Sequence, residues 1–116
     1  MAESTIHIEV KTDENYIPEA IGWKASSTGQ EELQQARAMM LAFWEPSERT
    51  ALRIDLWTKD MKVEEMADFF YQTMMTMADT YGRATQQNDL VDEVKTFARG
   101  FIKKFQEKQQ AGGGER

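Results

Sequence analysis

His7 is the only histidine in the chain, and Glu9 follows it by two positions. A base could activate a nucleophile there, but the sequence marks none out for it, and a solvent-facing histidine is the commoner reading. One histidine cannot build a two-histidine metal site within a chain. Glu64, Glu65 and Asp68 include a pair four residues apart that could share a hard cation. Carboxylates on a first helical turn more commonly answer the helix dipole. Asp13, Glu14 and Asn15 supply too few ligands for a calcium loop and lack its glycine and closing glutamate. No glycine-rich loop precedes a helix, so the phosphate cradles of mononucleotide and dinucleotide sites are not expected. The chain has no cysteine, which excludes disulfides, thiolate nucleophiles and cysteine-ligated clusters. The expectation is a protein with no catalytic, cofactor or metal site.

Another kind of chemistry is better represented. Met40, Trp44, Arg53 and Trp57 belong to the residue types enriched where proteins meet. Their spacing matters only if strands carry them, so the elements come next. Residues 4–11 alternate, with Ile6, Ile8 and Val10 against Thr5, His7 and Glu9, the period of a half-buried strand. Residues 12–15 have turn chemistry. Pro18 opens a second extended stretch, with Ile21, Trp23 and Ala25 on one face, and the two make a hairpin.

Residues 30–44 fit both a helix and a strand. A short helix near 30–36 is expected, then a second hairpin. Pairing Glu45 with Thr50 sets Phe43 opposite Leu52, Leu41 opposite Ile54 and Met39 opposite Leu56, all on one face. A slip of one residue would destroy that agreement. The other face then carries Met40, Ala42, Trp44, Arg53, Asp55 and Trp57. A loop or the 30–36 segment could equally cover it.

From about residue 61 the period becomes helical: Val63, Met66, Phe70, Met74, Met77 and Tyr81 recur at steps of three and four. Asp60, Glu64, Glu65 and Asp68 suit the positive end of that helix. Met66, Met74, Met75 and Met77 read mainly as helical core. A second helix follows a break near residues 86–88, with Asn88 as N-cap and Val94, Phe97, Ala98, Phe101 and Phe105 as its apolar stripe. The basic cluster Lys95, Arg99, Lys103, Lys104 and Lys108 suits its C-terminal half.

The expected fold is α+β: an antiparallel four-stranded sheet of two hairpins, with two C-terminal helices packed on one face. Phe70, Met74, Phe97 and Phe101 would lie on Ile8, Trp23, Leu41 and Ile54. One domain over residues 1–108 and a disordered Gln/Gly-rich tail over 109–116 complete the reading.

With 41% hydrophobic and 29% charged residues, the 116-residue chain has the composition of a globular domain rather than a disordered one. The net charge of −6 argues against a nucleic-acid surface, which needs a basic face. No apolar run approaches the roughly 20 residues of a membrane helix. No basic and apolar leader opens the chain, so a cytoplasmic location is expected.

Residues 50–61, reading TALRIDLWTKDM, resemble a segment of the gliding-motility-associated GldC proteins of Bacteroidetes. Residues 76–81 and 83–85 do so as well. Asp13-Glu14-Asn15 with Pro18 and Trp23 is similar to that family's opening hairpin, and residues 39–44 to its third strand. The similarity spans roughly residues 5–107; the tail departs from it. The resemblance implies a small, soluble accessory protein of the gliding apparatus, which works alongside type IX secretion. It implies protein partners from that machinery and no established ligand-binding residue; the face of Met40, Trp44, Arg53 and Trp57 would serve either such a partner or a homodimer. Two alternatives stand beside it: a small acidic chaperone-like dimer for a secreted client, and a small-molecule-binding domain with a cavity near Asp55, Tyr71 or His7.

Overall fold

The computed structural model describes residues 2–29 and 31–112. By its contacts the chain divides into two units, Met1–Met61 and Lys62–Arg116.

The first unit holds five strands: β1 (Ile6–Thr12), β2 (Pro18–Ala25), β3 (Gln34–Ala36), β4 (Ala38–Glu45) and β5 (Thr50–Trp57). β1 and β2 form the expected hairpin. Ile8 faces Trp23 and Val10 faces Ile21, so the alternating apolar residues of both strands share one side. The register shifts between Lys11 and Thr12, and Pro18, which cannot donate to a ladder, begins β2. The loop between them turns on Asp13. Its Oδ1 accepts the amides of Asn15 at 2.8 Å and Ile17 at 3.0 Å, and Tyr16 takes the left-handed backbone at φ 64°.

The sheet differs from expectation. Residues 34–36 are a strand, and the segment before it forms only a 3-10 turn at Ser26–Thr28. β3 lies antiparallel to β2, with Ala36 opposite Ile21 and Gln34 opposite Trp23. A helix of about seven residues is marginal alone, whereas this segment finds a ready ladder. Gly22 makes room for it: a side-chain carbon there would stand 3.2 Å from Leu33 Cδ1. β3 takes the second edge of β2, and no ladder joins these strands to the other hairpin. The strands form a three-stranded sheet, β1-β2-β3, and a separate two-stranded sheet, β4-β5, rather than one sheet of four.

β4 and β5 pair in the expected register, from Glu45 opposite Thr50 to Ala38 opposite Trp57. The Glu45 carboxylate holds the turn, accepting the Ser47 hydroxyl at 2.7 Å and the Glu48 amide at 2.8 Å. Those two hydrogen bonds also keep its pKa below the ordinary value, the Ser47 hydroxyl contributing most. Arg49 closes the turn in the left-handed region, φ 53°.

The second unit is a helical hairpin of α1 (Val63–Thr85) and α2 (Asn88–Ala111). Lys62 is the N-cap of α1, and its amide donates to Glu65 Oε1 at 3.0 Å. Gln86, at φ 59°, reverses the chain after α1. Gln87 caps α2, so Asn88 is its first helical residue instead of its cap. The helices run antiparallel: Phe70 stacks on Phe101 at 6.4 Å between ring centres, and Lys95 Nζ meets Asp79 Oδ1 at 2.6 Å. Small residues line the seam, with Ala78 and Ala98 fully buried. α2 runs on to Ala111, three residues into the segment expected to be disordered; residues 113–116 lie outside the described part.

Large buried apolar side chains are scarce. Among described residues Ile21, 1% exposed, is the only large apolar side chain in the buried class. Ile54, Phe70 and Phe97, expected in the core, are 51, 42 and 65% exposed, and Phe43 and Leu52, on the Ile54 face of the hairpin, are 60 and 53% exposed.

Candidate functional site

The hairpin register puts the four candidate contact residues on one face. Met40 stands opposite Asp55, Ala42 opposite Arg53, Trp44 opposite Ala51 and Trp57 opposite Ala38. Trp44 and Trp57 therefore sit at opposite ends of β4-β5, roughly 20 Å apart at the usual rise of a strand. They are 60% and 56% exposed, and Met40 between them is half-buried. Arg49, from the turn, lies over the Trp44 ring with its guanidinium carbon 5.9 Å from the ring centre, a cation–π contact.

Arg53 and Asp55 occupy the middle of the face. Arg53 Nε reaches Asp55 Oδ2 at 3.0 Å and Nη2 reaches Oδ1 at 2.8 Å, a bidentate fork. Residues two apart on a strand share a face, which is why the fork can form. Asp55 raises the Arg53 pKa further, mainly through that hydrogen bond. Sequence reading named Arg53 for its type; the alternation Arg-x-Asp was the available signal for the fork. It gave no signal for the Arg49–Trp44 contact, which depends on the turn geometry.

The resemblance-bearing residues converge on the start of β2. The Thr58 amide donates to the Arg37 carbonyl at 2.7 Å, and the Lys59 amide donates to the Pro18 carbonyl at 3.1 Å. Thr58, 2% exposed, donates its hydroxyl to Asp60 Oδ1. That bond, then the nearby Arg37 charge, holds the Asp60 carboxyl below its ordinary pKa. Lys59 Nζ reaches Asp13 Oδ2 at 2.9 Å and Glu19 Oε2 at 3.4 Å. No buried side-chain nitrogen or oxygen among the described residues lacks a partner, and the clasp reads as a brace for β5.

The other chemical candidates lie apart. His7 Nε2 meets Glu9 Oε2 at 2.9 Å, with both side chains half exposed, and that bond lowers the Glu9 pKa. His7 lines a recess of about 450 Å³ with Thr5, Lys24 and Glu31. Asp55 lines a different one of about 320 Å³, with Ile17, Trp57 and Lys59. A third recess, about 570 Å³, runs along α2 between Phe97, Phe101 and Phe105, with Lys104 and Lys108 beside it. A small-molecule site orients its ligand with convergent polar groups in an apolar cavity; Asp55 and His7 line separate recesses, and Tyr71 lines neither of them. No group of three potential metal ligands comes together among the described residues, and no helix there is long and apolar enough to cross a membrane.

The fold and these surfaces define a small α+β protein with aromatic side chains held in solvent by a braced hairpin. The chain belongs to the family described as gliding motility-associated protein GldC-like, whose model matches residues 18–107. The match spans β2 to α2 and takes in Met40, Trp44, Arg53 and Trp57; Asp13 to Asn15 precede it. Neither the curated proteins nor the solved structures contain a significant match to the chain.

Proposed function

We propose that this chain is a cytoplasmic, non-enzymatic accessory protein of the gliding-motility machinery, acting by protein contact through Met40, Trp44, Arg53 and Trp57. The supporting observation is the exposure of Trp44 and Trp57 on one strand face within the family-matched region. Exposed tryptophans flanking a charged centre are the composition of an interface anchor: they offer large apolar area, and they lose little rotamer entropy on binding. Type IX secretion or gliding components are the proposed partner class.

The test is capture from the native host with the tagged full chain, read by mass spectrometry. Trp44→Ala combined with Trp57→Ala should remove gliding-machinery proteins from the captured set while circular dichroism and melting stay unchanged. Capture unaffected by the double substitution, or host spreading unaffected by gene deletion, overturns the reading.

A second reading draws on the opposite face. Leu52, Ile54 and Phe43 are also more than half exposed, so the hairpin is apolar on both sides, as a chaperone-like dimer holding a secreted client would be. Protection of an unfolded client from aggregation by the purified chain would favour it.

A further inference from the structure

β1 is an edge strand, and β2 takes up only half of its main-chain groups. The Ser26 amide donates to the Thr5 carbonyl at 2.9 Å, and the Thr5 amide donates to the Ser26 hydroxyl, so residue 5 turns its main chain toward β2. Hydrogen-bonded and non-bonded pairs alternate in antiparallel strands, and the register from Ile6 opposite Ala25 to Lys11 opposite Ala20 is unbroken. His7, Glu9 and Lys11 therefore also turn their N–H and C=O groups toward β2. Those of Ile6, Ile8 and Val10 point the other way, where β1 has no strand partner among the described residues. Every residue of β1 is exposed, Ile6 to 72%.

We propose that this edge recognises a second copy of the chain, the two β1 strands pairing antiparallel about a twofold axis between the two Ile8 residues. A twofold axis pairs the strand with itself, and residues whose main chain points outward must meet their like. Centring on Glu9 would oppose two carboxylates and set Lys11 against the partner's His7. Centring on His7 would oppose two imidazoles and leave Val10 opposite the partner's Ser4. Centring on Ile8 sets Ile6 on the partner's Val10 and Ile8 on its own copy. That makes an unbroken aliphatic row on the side of the sheet that also carries Trp23 and Ile21. On the other side His7 meets the partner's Glu9, and Glu9 meets the partner's His7. These two residues already pair within each strand at 2.9 Å, so the four side chains close a ring of alternating donor and acceptor.

The edge also lacks the devices that keep strands apart. Prolines, bulges and inward-pointing charges protect natural edges against strand addition. From Ile6 to Val10 β1 has none of these, and its register shift comes only after Lys11. Pairing would join two three-stranded sheets into one and give the outward amides and carbonyls of Ile6, Ile8 and Val10 their partners. The face of Met40, Trp44, Arg53 and Trp57 belongs to the other sheet, so the inference goes beyond the function proposed above and does not depend on it.

Sedimentation of the full chain across concentration tests it, with an expected species of twice the 13.4 kDa chain mass. His7→Glu sets carboxylates in opposition at two symmetric places and should weaken association by roughly tenfold. The His7→Glu, Glu9→His double variant should restore it. Ile8→Pro removes an outward amide without taking a bond from β2; it should leave the hairpin folded and abolish association. The chain has no cysteine, so engineered thiols give a second readout of the register. Residues opposed in a non-bonded pair stand about 4.5 Å apart at Cα, within disulfide reach, and diagonal neighbours about 7–8 Å apart, beyond it. Oxidising a mixture of His7→Cys and Glu9→Cys chains should therefore cross-link one to the other, and neither variant should cross-link alone. A wild-type monomer at every concentration overturns the proposal, as does a dimer that survives Ile8→Pro or fails to cross-link between positions 7 and 9. Trp44→Ala combined with Trp57→Ala, which leaves β1 intact, should lose host partners yet remain dimeric; this separates failure of the contact surface from failure of the edge.

Discussion

Lys59 Nζ lies 2.9 Å from Asp13 Oδ2, joining residues 46 positions apart in the chain and tying the end of β5 to the loop between β1 and β2. The same Asp13 side chain accepts the Asn15 and Ile17 amides. One carboxylate thus shapes a loop and anchors another strand to it.

That arrangement predicts an acid-sensitive brace. The Lys59 ammonium first, then the Ile17 and Asn15 amides, hold the Asp13 carboxyl below its ordinary value of 3.8. A carboxyl depressed in the folded chain contributes stability that is fully present above its unfolded value and lost as pH falls through the folded one. Lys59, raised from 10.5 mainly by Asp13, contributes below 10.5 and loses its share as pH climbs through its folded value. Asp13→Asn keeps an oxygen for the two amides and removes only the charge. The variant should be less stable than wild type at pH 7, and in urea titrations the gap should shrink as pH falls below 3.8 and through the lower folded value. A gap that stays constant from pH 7 down to full protonation of the carboxyl would mean the charge contributes nothing.

Two glycines in the helical hairpin should respond oppositely to alanine. At Gly100 an added side-chain carbon meets nothing within 4 Å, so Gly100→Ala should stabilise by about 1 kcal/mol through helix propensity. At Gly82 the same carbon would stand 3.0 Å from Val91 Cγ2. A β-branched neighbour has little rotamer freedom to yield, and overpacking costs about 1–3 kcal/mol. Gly82→Ala should therefore gain nothing or lose stability, and Val91→Ala should relieve the loss. Thermal melts of the two single variants and the Gly82→Ala, Val91→Ala double variant decide it.

The same contrast between local pattern and tertiary setting explains what the sequence disclosed. The register of β4-β5 was legible because Phe43, Leu41 and Met39 match Leu52, Ile54 and Leu56 at a period of two, and only one pairing keeps them together. The helices were legible from their longer period, within one residue at Asn88. β3 was not, because Gln34, Gln35 and Ala36 favour a helix intrinsically and are extended only by pairing with β2. The Trp44, Arg53 and Trp57 face followed from the register. The Lys59–Asp13 tie did not, since no local pattern links residues so distant. Nor did the exposure of Ile54: alternation says which residues share a side, not whether anything covers it.

Ile21 and Ile54 turn that last point into a measurement. Both alternate correctly on strands, yet Ile21 is 1% exposed and Ile54 is 51% exposed. Removing a buried isoleucine to alanine costs roughly 2–5 kcal/mol, because a cavity adds to the lost transfer energy. Ile21→Ala should fall in that range. At Ile54 half of the side chain already meets water and no closed cavity can form, so Ile54→Ala should cost about 1 kcal/mol in dilute protein. Denaturant titrations of the two variants decide it. A cost at Ile54 equal to that at Ile21 would place Ile54 inside a closed core.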